Sequence, residues 1–176
     1  MATPTNMRPH ETEVPAYYRG YLSLVPDGEV VDQLQRQLDE TVGMLADLSE
    51  DQARFRYAEG KWSIKEVVGH LCDTERVLSY RAMSFARGEE GSLPGFEQDD
   101  YVPHGEFDRR PLEDLLAELR AIRDATVHLF RSCSEKQWSS HGTANGVEFS
   151  VRALAWIIAG HELHHRTILR DRYLRQ

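Results

Sequence analysis

Cysteine is scarce in this sequence. Cys72 and Cys133 are the two cysteines among its 176 residues, and they stand far apart with no C-x-x-C pair. Such a chain can build neither a disulfide framework nor a zinc site made of thiolates. We expect both thiols to be reduced and partly buried.

Long apolar runs and an apolar leader are missing as well. No apolar stretch approaches the roughly 20 residues that a helix needs to cross a bilayer. Residues 1–14 lack the basic start and the apolar centre of a signal peptide. We therefore expect a cytoplasmic protein with no membrane partner.

Positive charge is in deficit. The chain has 21 lysines and arginines against 29 aspartates and glutamates, which gives a formal net charge of -8. We expect no nucleic-acid partner, because the neutralisation of phosphates requires a basic face. A group of C-terminal arginines complements the negative end of the last predicted helix. They are Arg166, Arg170, Arg172 and Arg175.

Helical periodicity is what the sequence does contain. Its 40% hydrophobic and 28% charged residues are typical of one ordinary globular domain. Apolar residues recur at helical spacing in four segments, and strand-like alternation is nowhere sustained. The predicted helices are 30–48, 63–88, 111–133 and 150–173. We predict an all-α fold, a four-helix bundle over residues 30–176.

The segments around these helices are less regular. Residues 1–29 mix prolines, glycines and tyrosines, and we predict an irregular N-terminal arm that packs its tyrosines onto the bundle or forms a dimer contact. Ser63 and Glu66 form a capping box at the second helix, and Ser150 is the N-cap of the fourth. Two long connections leave the order of helix directions open.

The last predicted helix has two histidines in its core-facing seam. Leu154, Ile158, His161, His165 and Ile168 are spaced 4, 3, 4 and 3 residues apart. Residues four apart on a helix are neighbours, so the two imidazoles can aim at one point, as paired histidines do on a zinc ion. The alternative is a pair of core histidines that are satisfied by hydrogen bonds.

A third histidine lies on the second predicted helix. His70 stands at the edge of the core-facing stripe and can join His161 and His165 if the two helices face each other. Three histidines with an open fourth position are expected of a catalytic metal site. Imidazole suits nickel, iron and copper as well as zinc. His164 is offset from the seam and is expected beside the site or at the surface.

Acidic residues near such a site are candidates for proton transfer. The long connection between the second and third helices contains Glu97, Asp99 and Asp100, which we take as candidate catalytic residues. The alternative is that these carboxylates are solvated or cap the backbone of their own loop. Asp73 and Glu75 are candidates for fixing the tautomer of an imidazole.

Glu162 directly follows His161, as the general base follows the first histidine in H-E-x-x-H proteases. The expected partner of His161 is His165, whereas His161 and His164 are one residue too close for that motif. We therefore do not assign a protease mechanism to Glu162.

Three stretches together resemble a known family. They are Lys61-Trp-Ser-Ile-Lys-Glu-Val-Val-Gly-His70-Leu71, Gly160-His161-Glu-Leu-His-His165-Arg166 and Leu93-Pro-Gly-Phe-Glu-Gln-Asp-Asp-Tyr101. With them the chain resembles the DinB-like (DinB/YfiT) four-helix-bundle metalloproteins over roughly residues 30–173. The resemblance implies His70, His161 and His165 as metal ligands, and a homodimer.

The resemblance also implies a class of activity. Family members include metal-dependent thiol transferases, which act with bacillithiol, mycothiol or glutathione, and a metal-dependent hydrolase. We therefore expect a divalent metal, zinc or nickel first and iron or manganese second, with a low-molecular-weight thiol as a candidate second cofactor. The expected function is thiol transfer to, or hydrolysis of, a small-molecule substrate. The alternative is a non-catalytic stress-response protein that binds a metal or small ligand.

Overall fold

Eight helices and one short hairpin make up the computed structural model over the described residues, 8–175. The helices are α1 (Arg19–Leu22), α2 (Val30–Leu45), α3 (Glu50–Ala53), α4 (Ile64–Ala86), α5 (Gln98–Gly105), α6 (Leu112–Ser132), α7 (Glu135–Trp138) and α8 (Val151–Ile168). The strands are β1 (His141–Ala144) and β2 (Val147–Ser150). A π-helical turn, Leu169–Tyr173, continues α8, and short 3-10 turns lie at Glu11–Glu13, Ala16–Tyr18 and Phe107–Arg109.

The four long helices α2, α4, α6 and α8 confirm the predicted four-helix bundle. The capping box forms at α4: Ser63 Oγ accepts from the Glu66 amide at 3.1 Å, and a Glu66 carboxylate oxygen accepts from the Ser63 amide at 2.7 Å. Ser150 Oγ likewise accepts from the Ala153 amide at 2.9 Å. These caps fix where the two histidine-bearing helices begin. Among residues 8–175, no helix combines the length and the apolar content that a membrane span requires.

The helices do not alternate simply in direction. Side-chain contacts between helices show that α2 is parallel to α8 and antiparallel to α6, and that α4 is parallel to α6. The pairs are Gln37–Ala159 and Glu40–Arg166, then Asp39–Arg120 and Gln35–Arg131, then Cys72–Leu115 and Glu75–Arg123. Along the chain, α2 therefore runs up, α4 and α6 run down, and α8 runs up. The connection 87–111 must run back along the bundle by about 30 Å, the length of a 21-residue helix, which explains why it is long.

The connection between α6 and α8 contains a hairpin that periodicity did not predict. Its two strands have four residues each, too few to show a sustained alternation. Asn145 and Gly146 form the turn with φ of 51° and 73°, the positive values that a two-residue type I′ turn requires. Leu93 joins the hairpin edge, since its amide donates to Thr143 O at 2.9 Å and its carbonyl accepts from the Asn145 amide at 3.0 Å. The hairpin thus anchors the long connection.

A buried ionic cluster separates the apolar cores of the two bundle ends. Arg123 of α6 is 1% exposed and donates to Glu75 of α4 at 2.8 Å and to Glu162 of α8 at 2.7 Å. It also donates to Leu34 O, and Gln37 donates to Glu162, so α2 is included. Burial alone would lower the pKa of Arg123, but the two carboxylates raise it overall. This cluster joins all four long helices.

Replacement of Arg123 by alanine is expected to destabilise the protein by about 3–5 kcal/mol, because two buried carboxylates lose their cation. Urea unfolding of both proteins measures the difference. The matched control is Arg120→Ala on the same helix, whose ion pair with Asp39 at 2.8 Å is 46% and 74% exposed and should contribute less than about 1 kcal/mol. Equal effects of the two substitutions would contradict a central role for the cluster.

Candidate metal centre

Three histidines from α4 and α8 meet inside the bundle. His70, His161 and His165 each offer a ring nitrogen, and these atoms lie within 4.8 Å of one another. His70 Nε2 is 2.9 Å from His161 Nε2, and the three ring centroids are 4.6–4.8 Å apart. The antiparallel packing of α4 on α8 brings the single imidazole of one helix opposite the i, i+4 pair of the other. The structure therefore brings together the three histidines singled out in the sequence.

Thr74 is the hydrogen-bonding partner of His70. Its Oγ1 lies 3.3 Å from His70 Nδ1, one helical turn further along α4. When Nδ1–H donates to Thr74, the lone pair of Nε2 is free to face the other two imidazoles. Asp73 and Glu75 do not take the role proposed for them: Asp73 lies 3.8 Å from Arg76, and Glu75 is held by Arg123. Thr74 was missed, although its i+4 spacing from His70 was visible in the sequence.

Burial keeps the three imidazoles in their neutral form. It lowers the pKa of His70 to about 4. Burial first, and then the neighbouring imidazoles, hold the pKa values of His161 and His165 well below the ordinary range. A metal ligand must be deprotonated, so these side chains are ready to bind at neutral pH. Three neutral imidazoles with converging nitrogens fit a divalent transition metal.

Aromatic side chains pack against the histidines. The Trp62 ring centroid lies 4.8 Å from that of His70, and the Tyr21 ring is 5.6 Å from His161 and 5.3 Å from His164. His164 is thus beside the cluster, facing the arm. Tyr21 reaches this place because Gly160 has no side chain: a Cβ there would lie 2.2 Å from the Tyr21 carbonyl oxygen. The N-terminal arm therefore forms part of the site.

Other residues of the N-terminal arm hold Tyr21 and its neighbours against the bundle. Val14, Leu22 and Val25 are buried in the same apolar cluster as the first half of α8. Tyr18 packs edge-on against Phe149 of the hairpin, with ring centroids 5.5 Å apart. The arm contributes to the core of the chain as well as to the site.

Two cavities lie beside the cluster. One, of about 490 Å³, is lined by His161, and another, of about 540 Å³, is lined by His165. Asp99 lines both cavities, so it stands on the open side of the histidines. Glu97 lines the first cavity and also caps the Asp99 amide at 3.3 Å. Asp100 is not among the residues that line either cavity.

Glu162 belongs to the ionic cluster and not to the open side of the site. One of its carboxylate oxygens binds Arg123 and Gln37. The other, Oε1, is buried and has no hydrogen-bond partner among the described residues. Glu162 also lines a cavity of about 10 Å³ together with Thr74 and His161, which is about the least space that can hold one water. Glu162 is thus held on the inner side of the histidines, which agrees with leaving the protease mechanism aside.

The fold and the site together define a class, the metal-dependent four-helix-bundle proteins with converging histidines on two facing helices. Within that class the chain belongs to the DinB superfamily, whose family model matches residues 33–169.

Known proteins support this assignment. A protein of Oceanobacillus iheyensis, named "Putative metal-dependent hydrolase", is 27% identical over 137 residues, which cover 77% of this chain and 76% of that protein. The solved structure of YfiT from Bacillus subtilis, described as a probable metal-dependent hydrolase with an unusual four-helix bundle topology, matches with a TM-score of 0.72. That match covers 98% of both chains at 14% identity, so it concerns the fold.

Gly160→Ala tests the contact between the arm and α8. The new Cβ would displace the Tyr21 backbone, and we expect destabilisation by roughly 1–3 kcal/mol, the usual range for overpacking. The control is Gly43→Ala in α2, where nothing lies within 4 Å and the better helix propensity should stabilise by up to about 1 kcal/mol. Chemical denaturation compares the two variants. Similar gains in both would show that the arm does not lie against Gly160.

Proposed function

We propose that this chain is a metal-dependent hydrolase of small molecules, with His70, His161 and His165 as the ligands of a divalent metal. The observation that carries the proposal is a neutral three-imidazole cluster that opens onto two cavities, with His70 and His161 buried and His165 partly exposed. The Oceanobacillus iheyensis relative supports it, since that protein is named "Putative metal-dependent hydrolase".

The ligand set favours catalysis over a purely structural metal. In the stretch 8–175, the grouped metal-binding side chains are these three histidines, with no cysteine or carboxylate among them. A structural site closes its fourth position with protein, whereas a catalytic site keeps it open. Zinc and nickel suit the imidazoles best, and iron or manganese are the alternatives.

The surrounding residues have distinct roles in hydrolysis. A divalent metal held by the three histidines would supply Lewis acidity to a substrate carbonyl and to water. Asp99, on the open side, accepts the proton that the attacking water loses and passes it to the leaving group. Trp62 and Tyr21 limit the access of bulk water, which strengthens electrostatic interactions in the site. Thr74 keeps His70 in the tautomer that presents Nε2.

Other expectations from the sequence stay predictions. Thiol transfer with a low-molecular-weight thiol, a homodimer and a cytoplasmic location are among them. A non-catalytic metal-binding role is the competing outcome of the experiments below.

Metal content tests the ligands. The protein, purified without a histidine tag and dialysed against zinc or nickel, should hold about one metal ion per chain. His161→Ala should reduce metal affinity by about tenfold or more, because one of three ligands is lost. His164→Ala is the control, since His164 lies next to His165 but outside the cluster. Equal metal content in wild type and His161→Ala would refute the proposed centre.

Asp99→Asn tests the proton acceptor. With saturating metal and a panel of 4-nitrophenyl esters, we expect kcat to fall by roughly 100-fold, within the usual range for loss of a general base, while metal content is unchanged. Asp100→Asn is the matched control and should keep wild-type rates. If both variants behave alike, Asp99 has no such role. Absence of turnover by metal-loaded wild type would favour the non-catalytic alternative.

A further inference from the structure

Arg81 is a buried cation on the wall of the cavity beside His161. It lies on α4 and is 4% exposed. Thr74, which holds His70, lines the same cavity and lies seven residues earlier on the same helix. Seven residues correspond to about 10 Å along a helix. The cavity of about 490 Å³ therefore extends from the histidine cluster to Arg81.

The charge of Arg81 has no anionic partner among residues 8–175. Its guanidinium donates to Pro94 O at 2.9 Å and interacts with the Tyr18 hydroxyl. No carboxylate of residues 8–175 lies within ion-pair distance of it, whereas the other deeply buried arginine, Arg123, has two. Buried charges are rarely left unpaired, because desolvation makes them costly. The remaining guanidinium donors are available to a group in the cavity.

We infer that Arg81 binds a carboxylate of the substrate, so that the substrate class is a small carboxylate-bearing ester or amide. The inference rests on the proposed hydrolase function and adds the anchor that orients its substrate. A planar guanidinium can donate two parallel N–H···O hydrogen bonds to the two oxygens of a carboxylate. A carboxylate held there leaves the rest of a small substrate in the same cavity as His161, where the scissile bond would lie.

The other residues that line the cavity beside His161 restrict the charge and the shape of the substrate further. Arg81 is the one lysine or arginine among the described residues that line this cavity, while Glu97 and Asp99 line it as well. One cation beside two carboxylates suits a monoanion and disfavours a phosphate dianion or a polyanion. The aromatic rings of Tyr17, Tyr18 and Tyr21 cover another side of the cavity. The substrate therefore has an aromatic or aliphatic body and a single carboxylate.

Ligand binding to the metal-free protein tests whether Arg81 binds a carboxylate. Isothermal titration calorimetry compares 4-phenylbutyrate with its neutral amide, 4-phenylbutanamide. Wild type should bind the carboxylate more tightly, and Arg81→Gln should weaken carboxylate binding by about 10- to 100-fold and amide binding by much less, because the amide carries no charge. Arg81→Lys should show a smaller loss, and it replaces Arg81→Gln if that variant does not fold. Arg76→Gln, on the same helix but outside this cavity, is the matched control.

Kinetics then connect the anchor to catalysis. With saturating metal, Arg81→Gln should raise KM for a carboxylate-bearing ester by a much larger factor than it changes KM for the neutral analogue, so that the preference for the carboxylate is lost. Equal affinity of wild type for the acid and the amide, or an unchanged preference in Arg81→Gln, would overturn the inference. Failure to bind metal would instead refute the proposed function, and the metal-free titration would still decide the role of Arg81.

Discussion

Arg123 holds the four long helices in one register. It contacts Glu75 of α4, Glu162 of α8 and the Leu34 carbonyl of α2 from its own place on α6. Glu162 is adjacent to His161. The contact between Arg123 and Glu162 therefore fixes the position of α8 along the bundle axis, and with it the position of the His161 imidazole. A slip of one residue would turn both histidines of α8 by about 100° around its axis. The convergence of the three imidazoles thus depends on an ion cluster that does not itself belong to the site.

The order of helix directions gives the connection 87–111 its function. Because α4 and α6 are parallel neighbours, the chain between them must return along the bundle. The returning segment passes the open side of the histidines and places Asp99 there. Leu93 ties it to the hairpin at one point. The parallel order of α4 and α6 therefore brings the Asp99 carboxylate to the cavities beside the histidines.

Local patterns in the sequence predicted local structure well. Apolar periodicity located the four long helices, and the serine caps marked where α4 and α8 begin, because both signals depend on residues close together in the chain. The spacing of His161 and His165 identified a shared helix face for the same reason. The Asn145-Gly146 turn was also a readable signal, but the strands on either side are too short for alternation to stand out.

The remaining features depend on partners from other helices. Arg81 and Arg123 are both arginines on amphipathic helices, and nothing in their local sequence separates them. Arg123 is paired with two carboxylates, whereas Arg81 has none among the described residues, and the difference depends on which elements lie opposite each side chain. The position of Glu162 on the inner side of the histidines, and of Asp99 on the open side, follows in the same way from packing.

One side of the cavity beside His161 comes from the N-terminal arm, whereas the three histidines come from α4 and α8. Residues before 33 lie outside the span that matches the family model, yet Tyr17, Tyr18 and Tyr21 form a side of the cavity beside His161. The imidazoles come from α4 and α8, inside that span. A change in the arm can therefore reshape the space offered to a substrate without altering a helix that carries a histidine. The shape of the cavity on its tyrosine side and the positions of the three histidines can thus vary independently.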